Sequence, residues 1–294
     1  MTQVPAVSVL ITVYNREAWL EQTLRSVLAS SFADFEVIVV DDCSRDRSAS
    51  IAERIAREDS RIRFVKNQTN LGDYGNRMKS ASLARGTFLK FVDSDDLVYP
   101  HTLQVMLNAM QQYRDAVVGL AHSMPEDDQP FPWRLTPQEA YRKHFLGRGC
   151  LSCGPSGAII RRDAFEAANG FRPEWGVLSD TEFWLRLAAT HPIVLLPPGL
   201  VWWRRHEGQE FTRDDAMEVY LQRGHELDML VLSANDCPLA GKERAAATAR
   251  RKQHYARRLL SLAIRHRRPG LAARLLRRSQ LSLTDLARGL TRYQ

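Results

Sequence analysis

The stretch Thr87-Phe-Leu-Lys-Phe-Val-Asp-Ser-Asp-Asp96 carries the clearest sign of the architecture. Its first six residues read as a short buried strand, and three acids follow at the strand's carboxyl end. A second stretch, Phe35-Glu-Val-Ile-Val-Val-Asp41-Asp42, has the same construction, and Val7-Ser-Val-Leu-Ile-Thr-Val13 is a further apolar, β-branched run. Between them Trp19, Leu20, Thr23, Leu24, Val27 and Leu28 recur at helical spacing, with Asn15 offered as N-cap and a helix end near Ser30. A helix over 47–58, a strand over 62–66 and a helix over 74–84 complete the run. Strands alternating with helices of this length predict βαβ crossovers, hence an α/β fold with a mostly parallel central sheet flanked by helices.

In such sheets ligands bind beyond the carboxyl ends of the strands. Acids stand at two of these ends, Asp41-Asp42 and Asp93-Ser94-Asp95-Asp96. Three acids within four residues repel one another unless something positive sits among them. A divalent cation held by one or two carboxylates plus substrate phosphates would meet that need. The alternative is a solvated acidic turn in which Asp96 caps the next helix.

Composition sets the outer bounds. A chain of 294 residues is long enough for two domains, or for one α/β domain with an appendage. Its 44% hydrophobic and 26% charged residues exclude disordered, collagen-like and coiled-coil proteins. Four cysteines (Cys43, Cys150, Cys153, Cys237) are too few for a disulfide scaffold, and Cys150-x-x-Cys153 lacks the second pair a zinc site of that type needs. No signal peptide is read at the start, and the longest stretch without Asp, Glu, Lys or Arg, 187–203, is interrupted by Pro192, Pro197 and Pro198. A cytoplasmic protein is expected. From Gly241 onward 15 Lys and Arg face two acids, whereas the first 240 residues carry 26 basic against 32 acidic side chains. An acidic body bears a basic tail.

After Asp96 the alternation loosens. Helices are expected at 100–112, from Thr136-Pro137 onward and at 180–189, and strands at 116–120, 157–161 and 200–205. From Asp214 everything reads as helix, broken near Pro238 and at Pro269-Gly270. The first βα turn, Thr12-Val-Tyr-Asn-Arg16, contains no glycine. It has neither the dinucleotide fingerprint nor a phosphate-cradling loop, so nicotinamide enzymes and P-loop ATPases drop out.

Taken in order, Val9-Leu-Ile-Thr-Val-Tyr-Asn15, the Asp41-Asp42 strand with Ser44 and Asp46, Asn70-Leu-Gly72, and Gly86 leading to Phe91-Val-Asp-Ser-Asp-Asp96 resemble glycosyltransferase family 2. The resemblance covers about the first 210 residues and implies a GT-A (Rossmann-like) fold. It implies an inverting, metal-dependent transfer from a nucleotide-diphosphate sugar, UDP by default, to a hydroxyl of a glycan or glycoconjugate. Mn²⁺ or Mg²⁺ is the implied cofactor. The domains expected on this basis are 1–212, catalytic, with nucleotide-sugar and acceptor halves meeting near residue 97, and 213–294, a basic α-helical C-terminal region.

Carried over position by position, Thr12 and Tyr14 fall in the nucleoside pocket, and Asp42 accepts a hydrogen bond from the base. Asn70, Arg77 and Ser94 are donor-binding positions, although Met78 stands where the family often has Asn. Asp93 and Asp95 form the Asp-x-Asp motif, Asp95 as metal ligand and Asp93 as ribose contact or water-linked ligand. Arg204 and His206 resemble a family motif that touches diphosphate or metal. Asp180 aligns with the general base, which takes the acceptor hydroxyl's proton. Ser179 replaces the glutamate that usually precedes this base, and a helix-capping role is the rival reading of Asp180. Phe183 and Trp184 are expected in the core, and Gly208 and Phe211 in a loop closing over the donor. Asn67-Gln-Thr69 matches a glycosylation sequon that matters only on secretion.

The basic tail admits a solvated helical hairpin, peripheral contact with the anionic inner face of a membrane, or a protein partner. Nucleic acid is disfavoured, because Tyr255 and Tyr293 are the only aromatic residues among the tail's arginines. The rival to the enzyme is a non-catalytic carbohydrate- or partner-binding protein that kept this fold and binds through its tail.

Overall fold

The computed structural model describes residues 4–121, 127, 129–209, 216–279 and 281–290. The chain forms two compact units, one of Met1–Pro137 with Cys150–His206 and one of Gln138–Gly149 with Glu207–Gln294. The segment 138–149, expected within the catalytic domain, therefore groups with the C-terminal helices.

The first unit opens with β1 (Val7–Val13), α1 (Leu20–Leu28), β2 (Phe35–Asp41), α2 (Ser48–Glu58), β3 (Ile62–Lys66), α3 (Asp73–Ser82) and β4 (Phe88–Asp93). Then come β5 (Leu97–Val98), α4 (Thr102–Gln112), β6 (Val118–Ala121), β7 (Trp133–Leu135), α5 (Pro137–Leu146), which belongs almost wholly to the second unit, β8 (Ala158–Arg161), α6 (Arg162–Ala167), α7 (Ser179–Thr190), β9 (Ile193–Leu196) and β10 (Val201–Trp202). Among the described residues eight strands make one sheet in the order β3-β2-β1-β4-β8-β6-β9-β7, and β5 pairs with β10 separately. The β3-β2-β1-β4 half is all parallel, whereas β8 runs antiparallel to β4 and β6. Strand order reverses at β1, so the switch point lies where β1, β2 and β4 end together.

Burial explains the apolar runs. Every residue of β2 is buried, and Val7, Val9, Leu10 and Ile11 of β1 are 0% exposed between helices on the two faces. Helix α1 turns Leu20, Leu24 and Val27 into the same core. It starts at Leu20 with Trp19 as its cap. Asn15, expected as N-cap, instead takes a left-handed φ of 52°, and its Oδ1 accepts from the Arg45 N–H at 2.8 Å. Asparagine tolerates that conformation better than other non-glycine residues.

In the second unit α5 is joined by α8 (Ala216–Ser233), α9 (Gly241–Ile264), α10 (Pro269–Arg278) and α11 (Leu283–Gly289). Leu221, Tyr255, Leu259, Leu262, Leu271 and Leu275 form its core, and His225 stacks on Tyr255 with ring centroids 4.0 Å apart. Several tail arginines are consumed here: Arg251 pairs with Asp228 at 2.8 Å, Arg274 with Glu218 at 3.0 Å, and Arg250 donates to the Leu146 carbonyl. Among the described residues no helix is long and apolar enough to cross a membrane.

Candidate active site

Parallel register places Thr12 of β1 beside Val40 of β2 and Asp93 of β4, and Val13 beside Asp41. The loops leaving these strands are stitched together by side chains. Asn15 N–H donates to Ser44 Oγ (3.0 Å), Arg16 N–H to Ser48 Oγ (2.8 Å) and Glu17 N–H to an Asp46 oxygen (3.0 Å). Tyr14 is left 44% exposed at this edge, free of the core and available as a stacking surface.

Asp42 is buried. Its Oδ1 accepts from Asn67 Nδ2 and the Leu71 N–H, both at 2.8 Å, and its Oδ2 from the Gly72 N–H at 2.9 Å. Asn70 donates to the Asp42 carbonyl at 2.9 Å. Asp42 and Asn70 thus shape the turn before α3, where Gly72 adopts φ +75°, a conformation that favours glycine. Asp41 is fully buried and accepts from the Ser44 N–H, in line with a structural role.

The acidic turn after β4 contains its own counter-charges. Arg77, buried on α3, donates from Nη2 to Asp93 Oδ1 at 2.7 Å and from Nε to Asp73 at 2.9 Å. Burial works against the charge on Asp93, but Arg77 holds its carboxyl below the usual range. Asp95 Oδ2 receives Arg16 Nε at 3.1 Å and lies 3.0 Å from His206 Nε2. Burial and the charge of Asp93 push Asp96 up to about 7, and its Oδ1 accepts from the Arg204 N–H. The repulsion that pointed to a cation is therefore relieved largely by Arg77 and Arg16.

The backbone of the turn is equally constrained. Thr23 Oγ1 donates to the carbonyls of Ser94 (3.0 Å) and Asp96 (2.8 Å), so Ser94, itself buried, is held through its main chain. The Asp93 N–H donates to Ser156 Oγ at 2.9 Å, and the fully buried Lys90 donates to the Ser156 carbonyl. Arg204, expected at phosphate, is buried with its guanidinium over the Trp19 ring, donating to the Asp95 carbonyl at 2.7 Å and to Gln22 at 2.8 Å. In this structure it braces the turn.

Asp180 stands at the start of α7, near the same cluster. Its N–H donates to the Tyr74 hydroxyl at 3.2 Å, and Thr181 donates to Oδ1 from its N–H (2.5 Å) and Oγ1 (3.2 Å). Among the described residues Oδ2 receives no hydrogen bond. Burial pushes this carboxyl up to about 7, with Arg77 pulling the other way and Asp93 adding to the rise. Asp180, Arg77 and Asp93 thus form one electrostatic cluster. The neighbours on α7 are structural: Ser179 Oγ donates to the Arg172 and Gly176 carbonyls, and buried Glu182 pairs with Arg186 at 2.8 Å and Arg172 at 3.1 Å. Phe183 and Trp184 are core residues packed with Phe171. Met78 lies against the space that a side chain on Gly170 would need.

Cys150 and Cys153 form no disulfide, and burial with the Asp180 charge pushes Cys153 up to about 12, so it stays protonated. Asn67 spends its amide on Asp42 and Asn76. Gly208 has a positive φ, and Phe211 lies outside the described residues. Sequence reasoning assigned no role to Arg16, Ser156 or Lys90. The legible signal was Lys90, a lone cation inside an apolar strand.

Among the described residues no group of three or more His, Cys, Asp or Glu side chains converges on one point. Asp95 and His206 do converge, and a carboxylate with one imidazole suits Mn²⁺ better than Mg²⁺, which prefers oxygen ligands throughout, with the remaining ligands drawn from phosphate and water. The residues fit such an ion once Arg16 is accommodated.

The family model for glycosyl transferase family 2 matches residues 8–168. Uncharacterized protein MT1568 of Mycobacterium tuberculosis is 31% identical over 229 residues, 71% of this chain and 70% of that one. The putative teichuronic acid biosynthesis glycosyltransferase TuaG of Bacillus subtilis is 33% identical over 155 residues, covering 50% of this chain and 61% of TuaG. Among solved structures, TarS 1–349 of S. aureus superposes with a TM-score of 0.64 at 20% identity, covering 96% of this chain and 77% of that one. The mannosyltransferase PcManGT of Pyrobaculum calidifontis, in complex with GDP-Man and Mn²⁺, superposes with a TM-score of 0.67 at 19% identity, covering 97% and 79%. The chain belongs to glycosyltransferase family 2: it is a glycosyltransferase with the GT-A fold.

Proposed function

We propose that the chain catalyses inverting transfer of a sugar from a nucleotide-diphosphate donor, UDP-linked by default, to a hydroxyl of a cell-envelope glycan or glycoconjugate. The observation that carries this reading is the proximity of Asp180, with its carboxyl poised near 7, to the Arg77–Asp93 pair at the strand ends. Solved relatives support the donor class, since TarS structures hold UDP and UDP-GlcNAc and PcManGT holds GDP-Man.

The geometry supports the following proposed roles. Tyr14, with Thr12 behind it, stacks on the base. Asp42 and Asn70 hold the loop that borders the base, and Asp42 contacts the base through its remaining acceptor capacity. Arg77 orients Asp93 toward the ribose, and Ser94 keeps the turn's backbone in register. Asp95 and His206 would hold a divalent cation, which when bound neutralises the departing diphosphate. Arg204 acts through the turn it braces.

Asp180 accepts the proton of the acceptor hydroxyl as that oxygen bonds to the anomeric carbon. The bond from that carbon to the diphosphate breaks with its electron pair on the leaving oxygen, as an inverting displacement requires. A carboxyl poised near 7 matches a base working near neutral pH. The test is a transfer assay with UDP-, GDP- and dTDP-sugars and extracted glycan acceptors, on wild type and Asp180→Asn. Turnover that disappears in Asp180→Asn while donor affinity persists supports the reading, and equal turnover in both contradicts it.

The second unit would rest on an anionic membrane. Arg265, Arg267 and Arg268 stand beside Ile264, which is 71% exposed, and Leu283 and Leu290 are 85% and 74% exposed in the same unit.

A further inference from the structure

We infer that Arg16 is a built-in place-holder cation on Asp95, which couples entry of the metal to arrival of the donor diphosphate. This inference rests on the donor-site reading above. Asp95 Oδ2 is the oxygen nearest His206 Nε2, so it is the one a cation shared by these two residues would take. That same oxygen accepts from Arg16 Nε at 3.1 Å, with the Asp95 side chain only 11% exposed. One carboxylate oxygen at that depth cannot serve a guanidinium and a divalent ion together, because the two positive charges would lie within a few ångströms in a poorly screened site.

The guanidinium is built to leave. The Arg16 side chain is 30% exposed, and among the described residues its Nη1 is held by the carbonyls of Tyr14 (3.3 Å) and Asn15 (3.1 Å) alone, in the first βα turn. Its backbone is fixed independently, by the Ser48 hydroxyl. The side chain can therefore swing while the turn stays in place. Arg77, by contrast, is buried and doubly paired, and it cannot exchange partners in this way.

A diphosphate arriving at these strand ends gives the displaced guanidinium a better bidentate acceptor than two carbonyls. Asp95 Oδ2 is then released to the metal. Metal and diphosphate thus bind with positive coupling, and by linkage each raises the affinity of the other. Without donor, Arg16 keeps the site closed to divalent ions.

The test reads Mn²⁺ binding by electron paramagnetic resonance of free Mn²⁺, with and without UDP, in wild type, Arg16→Ala and Arg16→Lys. Thermal melts confirm that each variant is folded. In wild type UDP should tighten Mn²⁺ by at least tenfold. In Arg16→Ala the UDP-free affinity should rise about tenfold and the UDP-induced gain should shrink, and Arg16→Lys should fall between. An unchanged UDP-free affinity in Arg16→Ala, or an unchanged ratio with and without UDP, would overturn the inference while leaving the donor site standing. Wild type that binds neither UDP nor Mn²⁺ would instead sink the donor reading on which it rests.

Discussion

At the scale of single residues, environment decides which carboxylate does what. Asp93, Asp95 and Asp180 are chemically alike, yet Arg77 holds the first below its usual range, Arg16 and His206 flank the second, and burial lifts the third to about 7. If Asp180 is the base, kcat should climb through an acidic limb with a midpoint near 7, and Asp180→Asn should lose on the order of 10²–10⁴ in kcat with donor affinity retained. Asp180 binds its proton more tightly folded than unfolded. Its contribution to stability is therefore complete below about pH 4 and is lost as pH rises through about 7. Asp180→Asn should then be more stable than wild type at pH 8, by on the order of 1–3 kcal/mol in urea titrations. A variant both less active and less stable would mark Asp180 as structural. The motif residues were legible in the sequence because acids at strand ends stand out against apolar runs. Their counter-ions were not: Arg16 is close to Asp95 only because the first turn folds across the fourth strand's end, 79 residues away in sequence.

At the scale of elements, the parallel half of the sheet could be read from its β-branched runs, and β3 spans 62–66 as expected. In the other half β6 and β8 fall where strands were expected at 116–120 and 157–161, but β7 and β9 were not legible. Strand β9 is a four-residue run of Ile, Val, Leu and Leu between prolines, and β7 has three residues, too short for any period to show. What joins β1, β2 and β4 below the site is a buried polar knot. Ser8 Oγ donates to Glu36 at 2.6 Å and accepts from the Gly86 N–H at 2.8 Å, while Arg85 donates to Glu36 from its N–H at 2.8 Å and from its guanidinium. A methyl on Gly86 would come within 2.5 Å of the Ser8 backbone nitrogen, so Gly86→Ala should cost about 2 kcal/mol or more, read from denaturant midpoints. Burial opposes the charge on Glu36, but Ser8 and Arg85 outweigh it and hold the carboxyl below its usual value. Its stabilisation is present above about pH 4.5 and fades as pH falls. Glu36→Gln should accordingly destabilise at pH 7 by about 1–3 kcal/mol, with the gap to wild type narrowing in acid.

At the scale of the whole molecule, charge is divided along the chain: an acidic first 240 residues and a tail with 15 basic residues against two acids from Gly241. Part of the tail's charge is structural, as Arg251 and Arg274 show in their pairs with Asp228 and Glu218. Reversing Arg265, Arg267 and Arg268 to Glu should abolish sedimentation with phosphatidylglycerol vesicles in low salt, each lost contact weakening binding by about 1 kcal/mol. Wild type that does not sediment would remove the membrane reading and leave the enzyme intact, and sedimentation unchanged by the substitutions would clear these three arginines of the role. Donor binding at the strand ends can be read by titration calorimetry of UDP with Mn²⁺ and with EDTA, on wild type and Asp95→Ala. UDP should bind only in the presence of Mn²⁺, and that binding should be lost in Asp95→Ala. Binding that is indifferent to both EDTA and the substitution, or absent throughout with GDP and dTDP as well, would contradict the donor-site reading.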